Sequence, residues 1–183
     1  DRQALIDFYN MFPKETHLPW NEFKKKYNPN NPYRPMLNDK FKMVYAPAYE
    51  GKELIEYPVI QKFIKQFNFK VPLSVTDVQI LAYEPGFAFV PHIDQEVELS
   101  IMLPIIPDDG GEPLTFLEGD DFRNPGEEIY KVYYSTEHPT LVTGKTIHSV
   151  EEMKDFRVVL RFRTNGETYE DVIKKHKKGE FIL

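Results

Sequence analysis

The feature that most constrains the fold of this chain is a run of short, strand-like segments that begins near residue 74. The segments are rich in β-branched and aromatic residues, and most are bounded by Gly, Pro or Asp, as is typical of strands separated by tight turns. They read SVTDVQILAY, VELSIMLPI, PLTFL, IYKVYY, TLVTG, TIHSV and RVVLRFR. The pattern predicts a mainly β fold with flanking helices, built on a β-sandwich or jelly-roll core.

The residues outside this run predict helices and one irregular segment. Helical patterns cover 2–11 and 52–67, and in the second of these an apolar residue recurs every four positions (Ile55, Val59, Phe63, Phe67). Pro58 interrupts this pattern and predicts a kink or a late start to the helix. The segment 18–48 is rich in Pro, Asn and aromatic residues, and we expect an ordered but irregular arm there.

These patterns predict a single domain in three parts. Residues 1–70 form a helical and irregular layer, residues 74–163 form the jelly-roll core, and residues 164–183 form a charged tail or helix. The chain has 183 residues, of which 41% are hydrophobic. That length suffices for one domain with a hydrophobic core and is short for two.

Composition excludes several classes of function. The net charge of −6 disfavours a general binder of nucleic acid or of anionic membranes. The chain has no Cys, which excludes disulfides, thiolate metal sites and cysteine nucleophiles and suits a cytoplasmic protein. We find no apolar run of about 18 residues and no signal-peptide pattern, so we expect no membrane span and no secretion.

A candidate metal site begins with His92 and Asp94, which lie two residues apart in the strand-like stretch AYEPGFAFVPHIDQEVELSIMLPI. On a strand, such residues point to the same side and lie about 6.6 Å apart along the chain. His148, in the segment TIHSV, is the best candidate for a third ligand. Two His and one carboxylate form the facial triad that suits Fe(II). The alternative is that each His is a hydrogen-bonded core residue, because a His-x-Asp pair is weak evidence by itself.

A candidate anion site lies on the segment RVVLRFR. On a strand, Arg157, Arg161 and Arg163 share one face with Val159, and the other three apolar residues (Val158, Leu160, Phe162) share the opposite face. This favours a strand that packs its apolar face on helices and turns its Arg face to a cavity holding a carboxylate. For Arg161 and Arg163, an exposed charged face is the alternative. Tyr83 could point to the same carboxylate, or it could be an ordinary core residue.

Taken together, these residues resemble the Fe(II)/2-oxoglutarate-dependent oxygenases and, within them, the prolyl-4-hydroxylase-like branch. The resemblance covers residues 76–163. It is carried by Tyr83, Gly86, His92-Ile93-Asp94, Gly110-Gly111-Glu112 with Phe116, His148-Ser149-Val150 and Arg157. It implies a double-stranded β-helix core with the metal between its two sheets.

The resemblance also implies a set of roles. Fe(II) would be held by His92, Asp94 and His148, and 2-oxoglutarate would chelate the metal and pair its far carboxylate with Arg157, assisted by Tyr83. The reaction would release succinate and CO2 and hydroxylate a C–H bond, with ascorbate as a supporting reductant. Related halogenases lack the carboxylate ligand, so its presence here implies hydroxylation. Ni, Co or Zn is expected to replace iron in a purified sample.

Departures from the pattern keep two alternatives open. Collagen-type proline hydroxylases usually have Lys where Arg157 stands, and many relatives have Ser where Val159 stands. Arg163 follows Arg157 by six residues, as in the alkylation-repair demethylases, where the second Arg helps to hold oxoglutarate. A nucleic-acid demethylase, using a basic groove that includes residues 24–26, is therefore one alternative. A cupin-like metal-binding protein without oxoglutarate chemistry is the other, although it gives no reason for Arg157 at this spacing.

Several substrates fit the sequence: a prolyl or other peptidyl residue, a free amino acid and a small metabolite. We expect 18–48 and 118–138 to shape the substrate opening, because loops outside the core carry specificity in such folds. Aromatic residues in these segments could bind a peptide or simply pack the loops (Trp20, Tyr33, Tyr133, Tyr134). The remaining His residues are expected at the surface, with a substrate contact as an alternative for the first (His138, His17, His176).

Overall fold

The computed structural model describes residues 2–27, 39–94, 97–107, 111–135, 137–164 and 166–180. The α-helices are α1 (Arg2–Asn10), α2 (Trp20–Tyr27), α3 (Pro47–Glu50), α4 (Pro58–Phe67) and α5 (Tyr169–Lys177). Short 3-10 helices span Lys14–Thr16 and Leu54–Glu56. The strands are β1 (His17–Pro19), β2 (Phe41–Val44), β3 (Val78–Tyr83), β4 (Phe89–His92), β5 (Leu99–Ile106), β6 (Leu114–Leu117), β7 (Glu128–Val132), β8 (Thr140–Thr143), β9 (His148–Val150) and β10 (Arg157–Thr164).

The strands form two antiparallel sheets. One has six strands in the order β1-β2-β3-β10-β5-β8, and the other has four in the order β4-β9-β6-β7. From β3 onward the chain alternates between the sheets, apart from the β6–β7 pair, which stays in the smaller one. This topology is a double-stranded β-helix with flanking helices, so the predicted fold class is confirmed.

Strand β10 lies at the centre of the larger sheet, between β3 and β5. Its apolar face carries Val158, Leu160 and Phe162, each 0% exposed. This face packs against buried residues of the helices (Leu5, Phe8, Ile60, Phe67, Val172). The opposite face lies between the two sheets, where Val159 joins an inner cluster with Leu81, Met102, Leu114 and Phe116. The predicted two-sided strand is therefore confirmed.

The helices follow the local signals in the sequence. Helix α4 begins at Pro58, since a proline in the first turn loses no hydrogen bond, and the predicted late start is confirmed. The hydroxyl of Thr168 caps α5 by accepting a 3.2 Å hydrogen bond from the main-chain N–H of Asp171. No helix within the described ranges combines the length and the apolar character that crossing a bilayer requires.

The segment 18–48 differs from the expected irregular arm. Its described parts contain β2, most of β1, helix α2 and the start of α3, and β2 extends the larger sheet by pairing with β3. Aromatic packing accounts for this order, because Trp20 on α2 stacks on Phe41 of β2 at 5.6 Å. The stretch richest in Pro and Asn, 28–38, lies outside the described residues and includes Tyr33.

We expect Leu160→Ala to lower the free energy of unfolding by about 3 kcal/mol, because it opens a cavity between β10 and the helices. Equilibrium chemical denaturation of the metal-free protein measures this loss. Val75→Ala is the matched control, since Val75 is 40% exposed and its truncation should cost little. Equal effects of the two substitutions would contradict the packing of β10 on the helical layer.

Candidate metal centre

The two strands that carry His92 and His148 are neighbours in the smaller sheet. The two residues face each other in register, and their ring centroids lie 4.3 Å apart. Asp94 follows β4, and its Oδ1 lies 3.8 Å from Nε2 of His92. One ligand atom from each of the three residues lies within 4.8 Å of the others. The structure thus brings together the three residues that the sequence predicts as metal ligands.

Both imidazole rings are oriented by the main chain. The Nδ1 of His92 lies 2.8 Å from the carbonyl oxygen of Val90, and the Nδ1 of His148 lies 2.8 Å from that of Thr146. A carbonyl oxygen can only accept, so Nδ1 donates in each ring, and in the neutral ring the lone pair is on Nε2. In this tautomer each histidine presents the lone pair of Nε2 to the position between them, as a metal ligand must.

Burial favours the neutral form of His148. The residue is 5% exposed. Burial lowers its pKa, and the neighbouring His92 imidazole lowers it further. A neutral imidazole is the form that binds a metal, so the environment of this ring prepares it for ligation near neutral pH.

Asp94 is positioned by a close approach of two loops. Its main-chain N–H donates to the carbonyl oxygen of Gly144 at 2.9 Å. A Cβ on Gly144 would lie 2.3 Å from the carbonyl oxygen of Val97 and 2.7 Å from Cβ of Asp94. Glycine is thus needed at position 144. This requirement was not identified from the sequence. The only signal was the glycine that ends the strand segment TLVTG.

The donor set fits a divalent transition metal. Bonds of about 2.1 Å to an octahedral ion place neighbouring ligand atoms about 3 Å apart. The ligand atoms need to approach one another by roughly 1 to 2 Å to reach this spacing, which side-chain rotation can supply. Two imidazoles and one carboxylate on one side of an ion leave its remaining positions for other ligands.

Arg157 lies at the other end of the interior, opposite Tyr83 on β3. Its side chain is 3% exposed. Its Nη2 donates to the main-chain oxygen of Glu112 and lies 3.5 Å from Oε2 of the same residue, while the guanidinium stands 5.4 Å from the ring of Tyr134. Its Nε is buried and meets no hydrogen-bond acceptor in the described part of the chain. Arg157 therefore keeps one buried donor for a further acceptor.

Gly111 makes room for this arginine. Its φ is 71°, and a Cβ there would meet Nη2 of Arg157 at 2.5 Å and Nε at 2.9 Å. A residue with a side chain would displace the guanidinium, which accounts for Gly111 in the predicted motif; Gly110 lies outside the described residues. A buried N–H without a partner costs about 1–3 kcal/mol, and a ligand carboxylate would satisfy it. The Arg157 environment thus fits a carboxylate.

The tyrosines near Arg157 are buried and neutral. Tyr83 stacks on Phe41 at 5.0 Å and on Phe87 at 5.7 Å, and burial raises its phenol pKa. Burial likewise raises the pKa of Tyr134 to about 12, although Arg157 opposes the rise. Tyr134 therefore lines the interior. Tyr133 is 70% exposed, so it lies at the surface, whereas its neighbour Tyr134 does not.

Arg161 and Arg163 lie toward the metal end of β10. Arg161 donates from Nε to Oε1 of Gln79 at 2.9 Å, and its Nη1 lies 3.9 Å from Oδ2 of Asp94. Its side chain is 16% exposed, so it faces the interior and not the solvent. Burial lowers the pKa of Arg161, and the charge of the half-buried Arg163 on the same face of β10 adds to the decrease. The sequence-based role of Arg163 beside Arg157 stays a prediction.

Other predicted candidates lie away from the centre. His138 and His176 are exposed, and His17 contacts the Tyr9 hydroxyl through Nε2 at 3.1 Å. On α2, the Nζ of Lys24 lies 5.0 Å from the Trp20 ring centroid. This contact gives Lys24 and Trp20 a packing role on the surface of α2.

A groove of about 370 Å³ lies beside Phe116. Phe116 forms one wall; its ring lies 6.0 Å from that of His148 and stacks on Tyr130 at 4.9 Å. The other lining residues are also uncharged (Val132, Pro139, Thr140, Leu141, Thr143, Tyr169, Ile173). Tyr130 and Val132, from the segment 118–138, therefore help to line this groove, and the role of that segment at a substrate opening stays a prediction.

The fold and the donor set define a jelly-roll protein with a candidate two-histidine, one-carboxylate metal centre. No family model and no curated protein matches the chain. Solved structures of similar fold include a 2OG-Fe(II) oxygenase family oxidoreductase from Burkholderia pseudomallei (10% identity, 80% of this chain and 81% of that chain, TM-score 0.44). They also include the Escherichia coli ribosomal oxygenase YcfD (13% identity, 81% of this chain and 39% of that chain, TM-score 0.45). A third is a Pseudomonas putida prolyl-4-hydroxylase (23% identity, 49% of this chain and 52% of that chain, TM-score 0.34). The match spans about half of the Pseudomonas protein. These likenesses concern the fold, and the functional argument depends on the site.

We expect Gly144→Ala to weaken Mn(II) binding at least about tenfold, because the added Cβ displaces Asp94. Electron paramagnetic resonance of free Mn(II) measures the dissociation constant. Gly51→Ala is the matched control, since Gly51 has a φ of 70° with nothing near its Cβ position. It should lower stability and leave Mn(II) affinity unchanged. An unaltered dissociation constant in Gly144→Ala would refute the positioning role of this glycine.

The lowered pKa of His148 also predicts a pH dependence of stability. The unfolded chain takes up a proton near pH 6.5 and the folded chain does so only at lower pH, so protonation favours unfolding. In EDTA, the free energy of unfolding should therefore fall as the pH decreases below about 6.5. His148→Gln should show a shallower decrease; the part due to His17, whose pKa is also lowered, should persist. Parallel curves for both proteins would contradict the assignment.

Proposed function

We propose that this protein is an Fe(II)- and 2-oxoglutarate-dependent oxygenase that hydroxylates a C–H bond and releases succinate and CO2. The observation that carries the proposal is the arrangement of two sites in one interior. His92, Asp94 and His148 converge at one end, and the buried Arg157, with an unmet donor, lies at the other.

The spacing of these sites suits a dicarboxylate. Arg161 lies beside Asp94, and Arg157 is four residues earlier on the same face of β10, or about 13 Å along the strand. The long side chain of Arg157 could shorten this interval by extending along the face of the strand. A five-carbon 2-oxo diacid could thus reach the metal with its 2-oxo acid end and Arg157 with its far carboxylate, which supports 2-oxoglutarate as the co-substrate.

The residues of the two sites would have different roles in binding the metal and the co-substrate. The triad would hold the ion, which when bound supplies the redox chemistry with O2. Nε of Arg157 would donate to the far carboxylate, because Nη2 is already engaged by Glu112. The neutral phenol of Tyr83 adds no competing negative charge. Apolar residues of the inner cluster, such as Val159 and Met102, would exclude water between the two ends.

The groove beside Phe116 supports a substrate with an uncharged or aromatic contact surface. Its lining residues carry no charge, and its volume is within the usual range for small-molecule sites. A peptide segment or a small molecule suits such a surface. Nucleic acid does not, since the phosphate backbone requires cationic side chains.

One observation favours a second candidate, a cupin-like metal-binding protein without oxoglutarate chemistry. Arg157 already has an ion-pair partner in Glu112, and it faces the ring of Tyr134. A purely structural arginine would show the same contacts. The unmet Nε donor is what distinguishes the oxygenase proposal from this alternative.

Anaerobic titration of the metal-free protein with Fe(II) and then 2-oxoglutarate tests the proposal. Wild type should develop the visible charge-transfer band of chelated oxoglutarate, and His92→Ala should not. Arg157→Ala should need at least about 30-fold more 2-oxoglutarate, because losing a buried partner of a carboxylate costs about 2 kcal/mol or more.

Arg157→Lys and Arg123→Ala provide the controls. The first keeps the charge in the interior and should bind 2-oxoglutarate with intermediate affinity. The second removes an exposed arginine that pairs with Asp121 and should behave as wild type. Fe(II) binding without a band in wild type would remove the oxygenase proposal and favour the cupin-like alternative.

A further inference from the structure

We propose that Arg161 is a positioning residue of the metal centre. Anchored by the buried Gln79, it engages the outer oxygen of Asp94, so that this carboxylate offers a single oxygen to the ion. The inference rests on the proposed metal site and not on the identity of the co-substrate or substrate.

Gln79 provides a fixed anchor for Arg161. The two residues face each other across β3 and β10. Gln79 is 3% exposed, and its Nε2 donates to the carbonyl oxygen of Thr76 at 2.9 Å, which turns Oε1 toward the arginine. Oε1 accepts from both Nε and Nη2 of Arg161. Two donors on one acceptor fix the plane of the guanidinium and direct Nη1 away from Gln79.

The two oxygens of Asp94 face different partners. Oδ1 lies 3.8 Å from Nε2 of His92, and Oδ2 lies 3.9 Å from Nη1 of Arg161. The first oxygen is therefore on the metal side and the second is on the arginine side. A carboxylate with both oxygens free can bind an ion through both and occupy an extra coordination position. An arginine that attracts Oδ2 disfavours this mode and keeps that position open.

Arginine suits this role better than lysine. Its planar fork can donate to Gln79 through Nε and Nη2 while Nη1 faces Asp94. Lysine has a single ammonium group on a flexible stem, so it cannot contact Gln79 and Asp94 in two fixed directions at the same time. A purely structural Gln79–Arg161 pair would stabilise the sheet but would leave the metal geometry unaffected, and this difference is measurable.

Co(II) binding to the full metal-free chain tests the proposal, because Co(II) absorption reports the coordination number. Arg161→Met should weaken Co(II) binding about 10- to 100-fold, as is typical when a group that orients a metal ligand is removed, and should alter the visible spectrum. Arg161→Lys should restore little of the affinity. Gln79→Leu, which keeps the arginine but removes its anchor, should produce a smaller loss of the same kind.

Controls separate this role from stability and from the proposed reaction. Arg123→Met, at an exposed position, should leave Co(II) affinity and spectrum unchanged. Thermal unfolding in EDTA shows whether each variant folds. Folded Arg161→Met and Gln79→Leu with the wild-type Co(II) affinity and spectrum would overturn the positioning role. Wild-type Co(II) binding that requires His92 and Arg161, without any oxoglutarate band, would uphold it while the oxygenase proposal fails.

Discussion

The two-sided packing of β10 is the constraint on which the rest of the structure depends. Its apolar face is buried against the helices, and because side chains alternate along a strand, its arginines must face the space between the sheets. A slip of one residue in register would exchange these faces and bury cations in an apolar layer. The packing that holds the helices to the sheet therefore also determines that the interior contains guanidinium groups.

These interior charges are compensated where they lie. At the end of the interior away from the metal ligands, Glu112 pairs with Arg157. At the metal end, Asp94 and Gln79 both contact Arg161. Buried cations are costly unless they are paired and hydrogen-bonded, so each acceptor contributes to keeping its arginine inside. The result is an interior with an ion-paired guanidinium group at both ends and apolar side chains between them.

The metal centre belongs to the other sheet and depends on a different constraint. The register of β4 and β9 sets the two histidines opposite each other, and main-chain carbonyls two residues earlier set their rings. The third ligand comes from a turn that Gly144 allows to approach closely. The sheets meet at this point through the contact between Arg161 and Asp94, so the geometry of the centre depends on how both sheets pack.

The sequence by itself determined the features that depend on local periodicity. These are the strand run, the shared side of His92 and Asp94, the two faces of β10 and the start of α4 at Pro58, because each involves residues a few positions apart. Tertiary structure alone decided which residues meet across the chain. Arg161 and Gln79 are 82 residues apart, and Arg157 and Glu112 are 45 apart. No local pattern encodes such contacts, since they follow from the order of strands in the sheets, and the order found in 18–48 likewise depends on pairing with β3.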